Sequence, residues 1–164
     1  MESLQDYMDE YNKQVAKGYI PKAYRGLMEY MKSLRVYFES SYPEYSAPGG
    51  LYQGYMDMTY FPLFPHSLQR RNLKIAVVYI HESARFEVWL AGANRKVQAE
   101  YRKLIDESGW KKFRSSPAIK GTDSIIEYTL VEQPDFGDSD ALTGQIAAGT
   151  SYFITEIENF LSGH

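Results

Sequence analysis

No cysteine occurs among the 164 residues, which excludes disulfides, thiolate metal sites and a cysteine nucleophile together. Histidine is scarce too: His66, His81 and His164 stand apart, without the HxH or HExxH spacing that lets two imidazoles share a metal. A bias toward one charge is missing. Eighteen basic residues face 21 acidic ones, for a net charge of -3, so the whole molecule exerts no strong pull on nucleic acid or anionic membranes. Long apolar runs are absent, and none approaches the roughly 20 residues of a membrane span. The start, Met1-Glu2-Ser3-Leu4-Gln5-Asp6, lacks the basic residues and apolar stretch of a secretory signal. Together these absences predict a soluble, cytoplasmic protein with no membrane partner. The phosphate-cradling patterns GxGxxG and GxxxxGK[ST] and the GxSxG elbow are also missing, so no cofactor, metal or serine nucleophile is implied.

What the chain does contain is the composition of a folded protein, with 44% apolar and 24% charged residues. Its length suits a single domain, 1–164, that buries about two-thirds of its unfolded surface. Fifteen tyrosines accompany eight phenylalanines and two tryptophans. Tyrosine combines a flat apolar body with a polar tip, so this excess predicts aromatic-walled clefts or contact surfaces besides the core.

Helical spacing links Leu4, Tyr7, Met8, Tyr11 and Val15 up to Gly18, and then Tyr24, Leu27, Met28, Met31, Leu34 and Phe38 after Pro21. From Leu51 to Phe61, Tyr52, Met56, Met58 and Tyr60 alternate with Gln53, Tyr55, Asp57 and Thr59, which predicts a first strand with one buried face. Pro62 and Pro65 predict a surface connection after it. The clearest local structure follows: NLKIAVVYI, HESA, RFEVWLAG. With His81 to Ala84 as the loop, Ile80 lies opposite Arg85, Val78 opposite Glu87 and Ala76 opposite Trp89. One face of this hairpin carries Ile75, Val77, Tyr79, Phe86, Val88 and Leu90. The other mixes Ala76, Val78 and Ile80 with Lys74, Arg85, Glu87 and Trp89. Asn94 then caps a helix with Val97, Tyr101, Leu104 and Ile105 on one stripe, ending at Gly109. A polar loop leads to the strand SIIEYTLVE, and a last helix starts near Ser139. The predicted fold class is α+β in the order ααβββαβα: two N-terminal helices, an antiparallel three-stranded meander, a helix, a fourth strand and a C-terminal helix, with the helices on one side of the sheet.

Two groups of residues carry candidate chemistry. The first is the mixed face, with Tyr55, Asp57, Lys74, Arg85, Glu87 and Trp89 as a surface for a small ligand or a protein, since exposed aromatics beside charges resemble interface hot spots. Asp57 on the first strand, Glu87 on the third and Lys74 are also the residue types of a metal-dependent nuclease or phosphodiesterase. That arrangement is similar to the PD-(D/E)xK nucleases, except that Trp89 stands where their lysine follows the acid. The second group, Arg70, Arg71, Asn94, Arg95 and Lys96, is a candidate anion site, because two cations in a helix's first turn oppose its macrodipole unless an anion joins them. Nucleic acid is an unfavoured but open partner for that group.

The runs GYMDMTYF and LKIAVVYIHESARFEVWLAGANRKVQ resemble a family of small bacterial proteins known only as a domain of unknown function. The resemblance reaches from the second helix to the last and implies no activity, cofactor or catalytic residue. The leading functional expectation is therefore a non-catalytic binding or interaction domain that uses the mixed face; the metal-dependent nuclease is the alternative.

Overall fold

A computed structural model describes residues 2–117 and 123–164; part of the polar loop before the last strand, 118–122, lies outside the described residues. The chain divides into two compact units, 1–34 and 35–164. In the first, α1 (Leu4–Ala16) opens with a capping box, in which Ser3 and Asp6 each bond the other's backbone N–H. Gly18 at φ +85° then allows the chain to leave α1. α2 (Tyr19–Ser41) begins in this unit and ends in the second.

The second unit holds β1 (Met58–Leu63), the short α3 (His66–Gln69), β2 (Leu73–Ile80), β3 (Arg85–Gly92), α4 (Arg95–Ser108), the two-residue β4 (Arg114–Ser115), β5 (Ser124–Val131) and α5 (Ser139–Ser162). The strands form one antiparallel sheet in the order β1-β2-β3-β5-β4. The α+β class and the antiparallel meander are as the sequence predicts. The fourth predicted strand, β5, runs antiparallel beside β3.

The hairpin register is the one that alternation predicts: Ile80 pairs Arg85, Val78 pairs Glu87 and Ala76 pairs Trp89. Ile75, Val77, Phe86, Val88 and Leu90 on one face are at most 1% exposed. Helix α5 packs on this closed face, where Phe153 stacks parallel to Tyr128 with centroids 6.1 Å apart and Gly149 sits against Leu130. Phe38, near the end of α2, meets Phe61 at 6.0 Å. Phe136 covers Tyr79 and Phe86. Helix α4 has the predicted ends, with Asn94 Oδ1 accepting from the Val97 N–H and Gly109 left-handed at the exit. It packs beside β3 and β5, where Gln98 Nε2 donates to the Ser124 carbonyl at 2.8 Å. Gly92 makes the tight passage from β3 possible, since a Cβ there would lie 2.7 Å from the Gln98 backbone nitrogen.

The first strand differs from its prediction in extent and in facing. β1 starts at Met58, not Leu51, and runs through Pro62. Proline is tolerated because β1 is an edge strand and needs no donor on its outer side. Thr59, Phe61 and Leu63, all 0% exposed, turn to the closed face, while Met58 and Tyr60 share the mixed face with Val78 and Glu87. The alternation before Met58 does not describe a strand because the chain turns there: Gly54 and Met56 have positive φ, and only Tyr52 bridges back to Tyr60.

Candidate functional site

On the mixed face, β3 presents Arg85, Glu87 and Trp89 in a row, and the edge strand β4 brings Arg114 over the same row through β5. Glu87 is fully buried, and a carboxylate out of water needs partners for both oxygens. It has them. Oε2 receives Arg85 Nε at 2.5 Å and Arg114 Nη2 at 2.7 Å, and Oε1 receives Trp89 Nε1 at 2.8 Å. Arg114 also reaches Glu127 Oε1 at 3.2 Å and Thr129 Oγ1 at 3.0 Å. Two guanidinium groups and two carboxylates thus balance in charge. The arginine side chains, 39% and 44% exposed, form the wet lid over the acid. Burial pushes the Glu127 carboxyl above its usual range; the neighbouring charge of Glu87 adds to the shift and Arg114 opposes it.

The bond from Trp89 to Glu87 lays the indole back along its own strand toward the hairpin turn. There Trp89, Met58 and Ile80 border a recess of about 370 Å³, whose rim is Tyr55, Met56, Asp57 and Glu82. The rim is built by a pinned turn. Asp57 Oδ1 accepts from the N–H groups of Tyr55 at 3.0 Å and Met58 at 2.8 Å, and these two bonds, Met58's first, hold its carboxyl below the usual range. Gly54 is required, because a Cβ would collide with the Asp57 carboxylate and the Met58 carbonyl. Tyr55 consequently stands 94% exposed and Met56 51% exposed. Below the turn, the Asp57 carbonyl accepts from the His81 N–H at 3.0 Å, and His81 Nε2 lies 2.9 Å from Thr59 Oγ1. Burial lowers the His81 pKa, and Asp57 partly opposes that shift.

The predicted surface residues therefore separate into three places. Arg85, Glu87 and Trp89 form one hydrogen-bonded unit. Tyr55 and Asp57 reach the recess beside Trp89, but they do so from a turn, not from the first strand as predicted. Lys74 pairs Ala91, four residues along β2 from the partner of Glu87, or about 13 Å at the usual rise. Asp57 is likewise three residues from Tyr60, the β1 residue level with Glu87, about 10 Å along the strand direction and two strands away. Asp57, Glu87 and Lys74 are thus not gathered into a metal site, and the oxygens of Glu87 are already engaged.

The candidate anion residues lie on two loops that meet where the Ala93 N–H donates to the Asn72 carbonyl at 2.9 Å. Arg71 donates to the Leu161 carbonyl at 3.0 Å, at the end of α5, and Asn94 serves its own helix. Arg95 and Lys96 are exposed in the first turn of α4, and Arg70 follows α3 on the surface. Sequence reasoning missed Arg114, Glu127 and Glu82. A lone glutamate inside the apolar run SIIEYTLV is a readable signal for Glu127, whereas nothing local marks Arg114, whose strand is two residues long.

Among the described residues no helix is long and apolar enough to cross a membrane. The family described as "Domain of unknown function (DUF7000)" matches residues 4–161, and the chain belongs to it. No curated protein and no solved structure matches the chain.

Proposed function

We propose that this member of the DUF7000 family is a non-catalytic binding domain whose recognition surface is the mixed sheet face, centred on the recess beside Trp89. The carrying observation is the rim. Met56 occupies a left-handed conformation at φ +63° that glycine or asparagine adopts more readily, and its side chain is held out beside an almost fully exposed Tyr55. A turn needed only to reverse the chain gains nothing from that choice; backbone strain that presents apolar side chains is a feature of contact sites. The indole in the same recess is already held by Glu87, so little ordering remains to be lost on binding.

The arginine–glutamate network lies on the same face and holds the indole in place through Glu87. Residence in the cytoplasm and a single functional domain belong to the same proposal, supported by the absence of cysteine and by a family match that runs unbroken from 4 to 161. The test is amide and indole NMR mapping of the full chain against a peptide and fragment library. Binders should perturb Tyr55–Met58, Ile80 and the Trp89 indole, and Tyr55→Ala should weaken them without moving the melting temperature. Binders that map consistently elsewhere would overturn the assignment.

A further inference from the structure

We propose that the recess beside Trp89 receives a lysine or arginine side chain presented by a protein partner. This rests on the binding reading above and adds the chemistry of the ligand. The walls are apolar and aromatic, from Met58, Ile80 and Trp89, and the two charged residues of the lining, Asp57 and Glu82, are acids. Among the described residues, neither acid joins an ion pair with a lysine or arginine. The cation nearest in register, Arg85 opposite Ile80, is committed to Glu87 at 2.5 Å. The rim therefore carries two carboxylates with no lysine or arginine partner among the described residues, beside apolar walls. A methylene stem with a cationic head matches that layout: the stem lies on the methionine and isoleucine, and the head meets the carboxylates and a ring face. An anion would meet repulsion from both acids.

Size and shape select a side chain of a larger partner over a free small molecule. About 370 Å³ is near the lower end of the range for ligand pockets. A rim whose tyrosine is 94% exposed and whose methionine is 51% exposed leaves much of a small molecule in water, while tyrosine and methionine are residue types enriched in protein interfaces. The adjoining sheet edge is closed to an added strand. Tyr60 exchanges both backbone bonds with Tyr52, the Met58 N–H is taken by Asp57, and Pro62 has no N–H, so recognition must proceed through side chains.

The test uses the isotope-labelled full chain, with the two indole resonances assigned through Trp110→Phe. Four probes are compared: the N-acetyl amides of arginine, lysine, norleucine and glutamate. Arginine and lysine should shift the Trp89 indole and the Tyr55–Met58 amides, norleucine should shift them weakly, and glutamate should leave them still. In Asp57→Asn/Glu82→Gln the asparagine oxygen still accepts both turn N–H groups, so the melting curve is retained. The cationic probes should then bind roughly tenfold more weakly, a loss of about 1.4 kcal/mol. Equal shifts from norleucine or glutamate, or unchanged arginine binding in the double variant, overturn the cationic assignment and leave the binding face standing. Silence of the Trp89 indole toward every probe overturns the cationic assignment as well, while peptide-library hits at the same resonances decide separately whether the face binds at all.

Discussion

The two faces of the β2–β3 hairpin are made by alternate residues of the same two eight-residue strands, yet they are stabilised in different ways. On the closed face, Ile75, Val77, Phe86, Val88 and Leu90 exclude water under α5 and Phe136, and the gain scales with apolar area. On the mixed face, the fully buried Glu87 is held by Arg85, Arg114 and Trp89, where the pairing chiefly cancels a desolvation cost. The first arrangement tolerates many similar apolar residues. The second demands particular donors at particular positions, and it leaves polar groups and rings at the surface. A sheet with one face of each kind has a core on one side and fixed polar groups and rings on the other.

That contrast can be broken most strongly at the closed face. Phe153→Ala removes a fully buried ring between Phe113 and Tyr128 and should cost about 3–5 kcal/mol in denaturant unfolding. On the mixed face, Glu87→Ala should cost less, about 2–3 kcal/mol, because the half-exposed arginines regain water while the Trp89 N–H loses its partner. Equal losses from the two variants would mean that the network stabilises as much as the core does.

Met56→Gly relieves the left-handed strain and should stabilise by about 1 kcal/mol while weakening any ligand of the recess, which separates folding from recognition. A smaller effect concerns pH. The Glu127 carboxyl is raised by burial and by Glu87, so the folded state holds that proton more tightly than the unfolded chain. Its stabilising contribution is present below the ordinary value of 4.5 and is lost as pH rises through the folded value. Glu127→Gln should flatten that part of the stability profile measured by thermal melts. Smallest is Tyr55→Ala, which should change stability by less than about 0.5 kcal/mol, as expected for an exposed side chain.

Much of this architecture was legible. The hairpin register followed from alternation on both sides of a four-residue loop, and Asn94 and Gly109 marked the ends of α4 by their capping chemistry. The first strand begins seven residues later than alternation predicts, because Tyr52, Met56, Met58 and Tyr60 mimic a period of two across a turn. Gly54 was the available warning, since glycine inside a strand pattern often marks a break. Of the candidate site, Arg85, Glu87 and Trp89 were visible as a row on one strand, and Tyr55 and Asp57 were found for a reason the fold does not share.

Spacing along the chain was sufficient for the helix ends, the pairing of β2 with β3 and the division of that hairpin into an apolar and a mixed face, because caps and alternation act across a few neighbouring residues. Only the tertiary structure decided that Arg114 closes over Glu87, that Glu127 joins them, and that the turn at Tyr55–Asp57 meets the Trp89 indole. Those contacts join segments far apart in sequence, and the desolvation and charge balance that select them exist only once the strands lie side by side.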